Sequence, residues 1–295
     1  MVMNLLARLL LAAVWLLHWL PLGVQAALGR GLGVLLYHVA HRRRRLALRN
    51  VQLCLTDLDE AARVALVRAH FKWLARSLLE RALLWYASPE RLKRLIQVEG
   101  DIHLAERSDR AVMWLVPHFL GVDVAGAATQ LFQSKKVCNV YTVQSNAVLD
   151  AALRKGRGRF GLAEMFPRQQ NAISMVRAIK RGLPFFNPSD MDFGLRDAAF
   201  VPFFGHPAAT LLAPSRLARS LNMVVQPVVA EILPGGQGWR VRFLPVWEGW
   251  PTDDPEADAA AMNRFIEAQI RQLPEQYLWV HKRFKTRPPG QPSLY

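Results

Sequence analysis

"AVMWLVPHFLGVDVAG", Ala111 to Gly126, joins two kinds of order. A short apolar run rich in strand-forming residues ends at Pro117, and a Gly-containing turn leads into "VDVAG", which reads as the start of a helix. Strand, turn, helix is the unit from which parallel sheets are built. The same texture recurs downstream. "KVCNVYTV", "LPFFNPS", "AFVPFF", "NMVVQPVVAEIL" and "WRVRFLPVW" read as strands, and "VLDAALRKGRGRF", "NAISMVRAIKRG" and "APSRLARSL" as helices between them. The expected fold is α/β, with a mostly parallel sheet flanked by helices. "EILPGGQGWRVRFLPV" reads as a hairpin with a Gly-rich turn, which makes the sheet mixed.

Upstream of Ala111 the pattern is helical. "TDLDEAARVALVRAHFKWLARSLLERALLWY" carries Val64, Val67, Phe71, Leu74, Leu78 and Trp85 at helical spacing, with Arg63, Arg68, Lys72, Arg76 and Arg81 as its polar side. Asp57 and Glu60 are placed as a capping box, and Ser88-Pro89 starts a second short helix. Near the C-terminus, Asp254 and Pro255 open a helix that Pro274 stops.

Between Arg8 and Arg30 lie 21 residues without a formal charge, enough for a helix of roughly 30 Å, about one hydrocarbon core. Trp15 and Trp19 suit an interface, while His18 and Pro21 favour a kink or a shallow insertion. The rival is a secretory signal peptide cleaved after "VQA" at 24–26. The cluster "HRRRR" at 41–45 argues against export, because basic residues beside a membrane segment stay on the cytoplasmic side. Residues 1–40 are therefore expected to be a retained membrane anchor with a transmembrane helix.

The 295 residues carry a formal net charge of +15, which calls for an anionic partner: a membrane surface, a phosphorylated substrate or nucleic acid. No nucleic-acid-binding motif accompanies the charge. The two cysteines, Cys54 and Cys138, are too few for a disulfide framework and lack metal-ligand spacing. No P-loop, dinucleotide-type glycine turn or G-x-S-x-G is present. Neither a cofactor nor a metal is expected.

His118 follows its strand directly, at the edge where open α/β sheets bind ligands. Asp123 lies about one helical turn on, placed to orient the imidazole as a base that removes a hydroxyl proton. A lone H-x-x-x-x-D also fits a strand-end His and a helix-capping Asp. Without a protein nucleophile, the attacking group would come from the substrate. In "NPSDMDFG", Asp190 and Asp192 flank Met191 and would share a face, to orient a basic side chain, bind substrate hydroxyls or sit in a solvated turn. Arg154, Lys155, Arg157, Arg159, Lys180, Arg181, Arg216, Arg219 and the tail residues Lys282, Arg283, Lys285 and Arg287 are candidates for phosphate binding, many of them also ordinary solvated surface.

These pieces form an ordered set. "RNVQLCL", "HFLGVD", "YTVQSNAVLD", "NPSDMDFG", "VPFFG", "RLAR" and "PEQYLWVHKRFKTRP" resemble, in that order, the motifs of the late acyltransferases of bacterial lipid A biosynthesis, within the lysophospholipid acyltransferase superfamily. The resemblance covers nearly the whole chain. It departs from the family's pattern at Thr142-Val143, at Pro188-Ser189-Asp190 and in "LLAPSR". It implies transfer of a fatty acyl chain from an acyl carrier protein to a hydroxyl of an anionic glycolipid, at the cytoplasmic side of the bacterial inner membrane. It further implies His118 as general base with Asp123 as its orienter, and an oxyanion held by backbone N–H groups or an arginine. Arg159 would bind phosphate, with Asp190 and Asp192 ordering the pocket or the acceptor. The acyltransferase domain would run over 41–295, with a helical lead-in to 105 and the α/β core from 106. The alternatives are an acyltransferase for another lipid, a lysophospholipid or an amino-acid lipid, and a non-catalytic membrane-binding protein.

Overall fold

The computed structural model describes residues 2–168 and 172–295. Asn171, at the start of one expected helix, lies outside them. Five helices come first: α1 (Val2–Leu17), α2 (Leu22–Val39), α3 (His41–Cys54), α4 (Glu60–Tyr86) and α5 (Pro89–Leu95). The α/β region then runs β1 (Ile96–Gly100), α6 (Leu104–Arg107), β2 (Val112–Leu115), α7 (Val122–Leu131), β3 (Val137–Tyr141), α8 (Ala147–Arg157), β4 (Ala163–Pro167), α9 (Ile173–Lys180) and β5 (Phe185–Asn187). An antiparallel pair, β6 (Ala198–Phe203) and β7 (His206–Leu211), leads to α10 (Ala213–Ser220), β8 (Val224–Ile232), β9 (Trp239–Phe243) and α11 (Pro255–Gln272).

Seven strands form one sheet in the order β1-β9-β8-β2-β5-β3-β4. Every pairing is parallel except β8 with β9, the expected hairpin. Strand β2 is central and wholly buried. Its Met113 and Leu115 enter one core, while Val112, Trp114 and Val116 enter the other, as period-two alternation requires of a sheet covered on both faces.

The N-terminus corrects an expectation. The uncharged run is not one span: it breaks at 18–21, and among the described residues no helix is long and apolar enough to cross a membrane. Pro21 cannot continue α1 because it lacks an N–H, so carbonyls at the break need other donors. Gln25 Nε2 donates to Leu17 O and Leu20 O at 2.9 and 3.1 Å. Arg91 donates to His18 O and Leu20 O at 2.6 and 2.7 Å. The turn is thus pinned to α5. Helix α2 then packs along α4 on a small-residue face, Ala26, Gly29 and Gly33. A Cβ on Gly33 would stand 2.6 Å from Phe71 O, so only glycine allows this approach.

Helix α4 differs from its expected amphipathic pattern for the same reason. With α2 on one side and the sheet on another, it buries residues around much of its circumference. Arg76, expected on the polar side, is buried and bonds Glu80 at 2.7 Å and Leu233 O at 3.1 Å. Its N-cap is Asp59, which accepts from Ala62 N at 2.7 Å, rather than Asp57. The other two caps, Ser88 and Asp254, stand where the sequence puts them, each followed by a proline that opens its helix.

Candidate active site

Parallel register builds the site. Leu115 on β2 pairs with Asn187 on β5, and Val116 N extends the ladder to Asn187 O at 3.1 Å. Three residues past each strand stand His118 and Asp190, side by side on adjacent strand ends. The Asp190 carboxylate accepts the His118 backbone N–H at 3.0 and 3.1 Å and sits in a short contact with the imidazole Nδ1. His118 is otherwise held through its main chain: Leu278 N donates to His118 O at 3.1 Å, and Leu120 N to Gln276 O at 2.8 Å. Among the described residues Nε2 has no protein partner, and the side chain is 16% exposed, so one ring nitrogen is fixed and the other is open.

Asp190 is 1% exposed. Burial pushes its carboxyl up, but the His118 ring and amide, with the more distant Arg283, outweigh burial and bring it down to about 2. Tyr277 lies against it, and burial, then the Asp190 charge, keeps the phenol protonated. Asp192 is also buried but faces elsewhere. It accepts from Thr286 N and Oγ1 at 2.6 and 2.7 Å and from Gly194 N at 2.9 Å, while its own N–H donates to His281 Nε2 at 3.1 Å. Burial lowers the His281 pKa to about 4, so the ring is a neutral acceptor. Asp192 therefore staples the acidic turn to the C-terminal segment.

Asp123 does not reach the imidazole. It begins α7, and both its oxygens are held by guanidinium groups: Arg81 Nε at 2.9 Å from α4, and Arg157 at 2.7 and 2.9 Å from α8. Burial opposes its ionisation, and Arg157 then Arg81 outweigh that, holding it below the usual carboxylate range. The meeting depends on Gly156, whose Cβ would lie 2.6 Å from the Trp85 ring. The expected His118–Asp123 contact is replaced by His118–Asp190, because the neighbouring strand end is closer to Nδ1 than the first turn of the following helix.

Arg159 donates to Ala87 O and lies over the Phe160 ring at 4.4 Å, with no carboxylate partner among the described residues. Arg168, not singled out in the sequence, follows β4 on the same carboxyl edge and stacks on Phe193 of the acidic turn. Arg216 and Arg219 pair with Asp197 and Asp253. Arg219 closes α10 just before β8, at the amino end of the sheet, away from His118. The amides of His118, Phe119, Leu120 and Val122 already donate within the protein. Among the described residues no group of three or more His, Cys, Asp or Glu is placed to hold a metal ion.

The sequence model of a family described as bacterial lipid A biosynthesis acyltransferase matches residues 2–286. The chain belongs to this family. The lipid A biosynthesis lauroyltransferase of Escherichia coli (strain K12) is 32% identical over 288 residues, covering 97% of this chain and 93% of that protein. The palmitoleoyltransferase of the same strain is 31% identical over 288 residues, with 97% and 92% covered. Its myristoyltransferase is 31% identical over 274 residues, with 92% and 83% covered. The chain is thus an acyltransferase of lipid A biosynthesis, and the buried His–Asp pair on its strand ends is the candidate centre of that activity.

Proposed function

We propose that this acyltransferase moves a fatty acyl chain from an acyl carrier protein to a hydroxyl of a lipid A precursor, with His118 as general base. The observation that carries the reading is the imidazole fixed at Nδ1 by a buried, ionised Asp190 with Nε2 open. Nε2 takes the proton of the acceptor hydroxyl, and the oxygen forms a bond to the thioester carbonyl carbon. The tetrahedral intermediate collapses, the C–S bond breaks, and the imidazolium returns its proton to the departing thiolate. Asp190 keeps the proton of neutral imidazole on Nδ1 and stabilises the imidazolium between the two transfers. Asp123 acts at one remove, holding Arg81 and Arg157 near the site. Arg159, half-buried and without an acid, is our candidate for a phosphate of the acceptor.

We place the enzyme on the cytoplasmic face of the inner membrane, resting on it rather than spanning it. Thirteen of the seventeen large apolar side chains that are exposed among the described residues lie in α1, α2 and the turn between them, Trp15 and Trp19 included. Four arginines follow at once. An apolar face beside a basic cluster suits the surface of an anionic leaflet. The test is mass spectrometry of the product formed by purified enzyme from a lipid A precursor and acyl carrier thioesters. An added ester on the precursor is expected. Acylation of a lysophospholipid or amino-acid lipid but not of the precursor would overturn the acceptor.

A further inference from the structure

Beside the His118–Asp190 pair lies an open cavity of about 450 Å³, within the range of roughly 300–1,000 Å³ usual for small-ligand sites. One wall is the catalytic neighbourhood itself. Met191 follows Asp190 directly, and Leu278 bonds the His118 carbonyl. The facing walls come from the N-terminal helices, Ala40 at the α2–α3 junction and Leu74 on α4. The lining is apolar apart from His281, which burial keeps neutral, and Arg43. Arg43 is exposed, donates to Val280 O at 3.1 Å and has no carboxylate partner among the described residues. An unbranched apolar ligand with one anionic group close by satisfies this lining. A free polar headgroup does not.

We propose that this cavity holds a fatty acyl chain alongside His118, that Ala40 and Leu74 limit the length it takes, and that Arg43 holds a phosphate at its rim. The N-terminal pair α1 and α2 is then part of the specificity machinery, because α2 ends in a wall of the acyl site. This rests on the transfer reaction proposed above. The chain can belong to the donor or to the acceptor, since both bring an acyl chain near a phosphate.

The test uses the full-length enzyme with Ala40→Phe and, on α4, Leu74→Trp. In one arm the acyl donor is varied in chain length with the acceptor fixed. In the other the acceptor chain is varied with the donor fixed. Each methylene that no longer fits costs about fourfold in kcat/KM. In one arm, both variants should therefore favour chains shorter by two to four carbons, by tenfold or more, while keeping their rate on the shortest chains. The arm that shifts names the source. Arg43→Gln should raise KM about tenfold with the length profile unchanged. If either folded variant transfers chains with the wild-type length profile in both arms, the cavity is not the acyl site, though the transfer reading survives. If wild-type enzyme transfers no chain in either arm, that reading fails, and this inference with it.

Discussion

The two carboxylates that follow the central strand ends, Asp190 buried and Asp123 partly so, make opposite use of the same charge. Asp190 follows β5 and faces a group that can gain and lose a proton. Asp123 opens α7 and faces two guanidiniums that cannot. Both are held ionised against burial. In the proposed reaction, which creates and removes an imidazolium, only the first can respond. The second fixes the relative positions of α4, α7 and α8. A carboxylate's role here follows from the titration behaviour of its partner, not from its distance along the chain from the histidine.

The largest expected effect is at the histidine they frame. His118→Ala should lower kcat/KM by about 10³–10⁴-fold with the fold retained, measured by acyl transfer and circular dichroism. Transfer at the wild-type rate would remove His118 from the chemistry.

Acid should separate the two carboxylates next. A carboxyl held below its unfolded value stabilises the fold above that value, and the contribution is lost as pH falls through the folded one. For Asp190 the window runs from about 4 to 2 and is worth about 2 kcal/mol. Asp123, held lower, gives up its share later in the same descent. The buried neutral His70 and His281, both lowered to about 4, act earlier, with stability lost as pH falls from about 6.5 to 4. Denaturant melts across pH 7 to 2 should show both phases, and His70→Leu should flatten only the first.

Asp123→Asn should cost about 1–3 kcal/mol, read as a lower denaturation midpoint, because two guanidiniums lose their acid in a partly exposed site. Gly156→Ala is the mildest change. Its methyl meets the Trp85 ring, so α8 should shift and loosen Arg157 from Asp123 at about 1 kcal/mol.

Much of the fold was legible because its signals are local. The short apolar run of β2, the Gly-rich turn between β8 and β9, and the caps at Ser88 and Asp254 each need only neighbouring residues. The site was legible in its members but not in its pairing. His118 and Asp190 stand 72 residues apart and meet only through strand order and register, which no local pattern encodes. Asp123, five residues from His118, offered the shorter and incorrect contact. The N-terminal helices α1 and α2 misled for a related reason. The uncharged run over 9–29 records apolar character alone, and not that one face of α2, through Gly29 and Gly33, is occupied by another helix. Of the phosphate candidates, Arg219 is removed from the carboxyl edge by topology alone.

The most direct test is the ratio of acyl-transfer rates of Asp190→Asn and Asp123→Asn, measured side by side on folded enzyme near neutral pH. Asp190→Asn should lose about 10²–10⁴-fold, since the imidazole is no longer held or charge-balanced, and Asp123→Asn no more than about tenfold. The opposite ranking would contradict the pairing of His118 with Asp190 and return Asp123 to the imidazole.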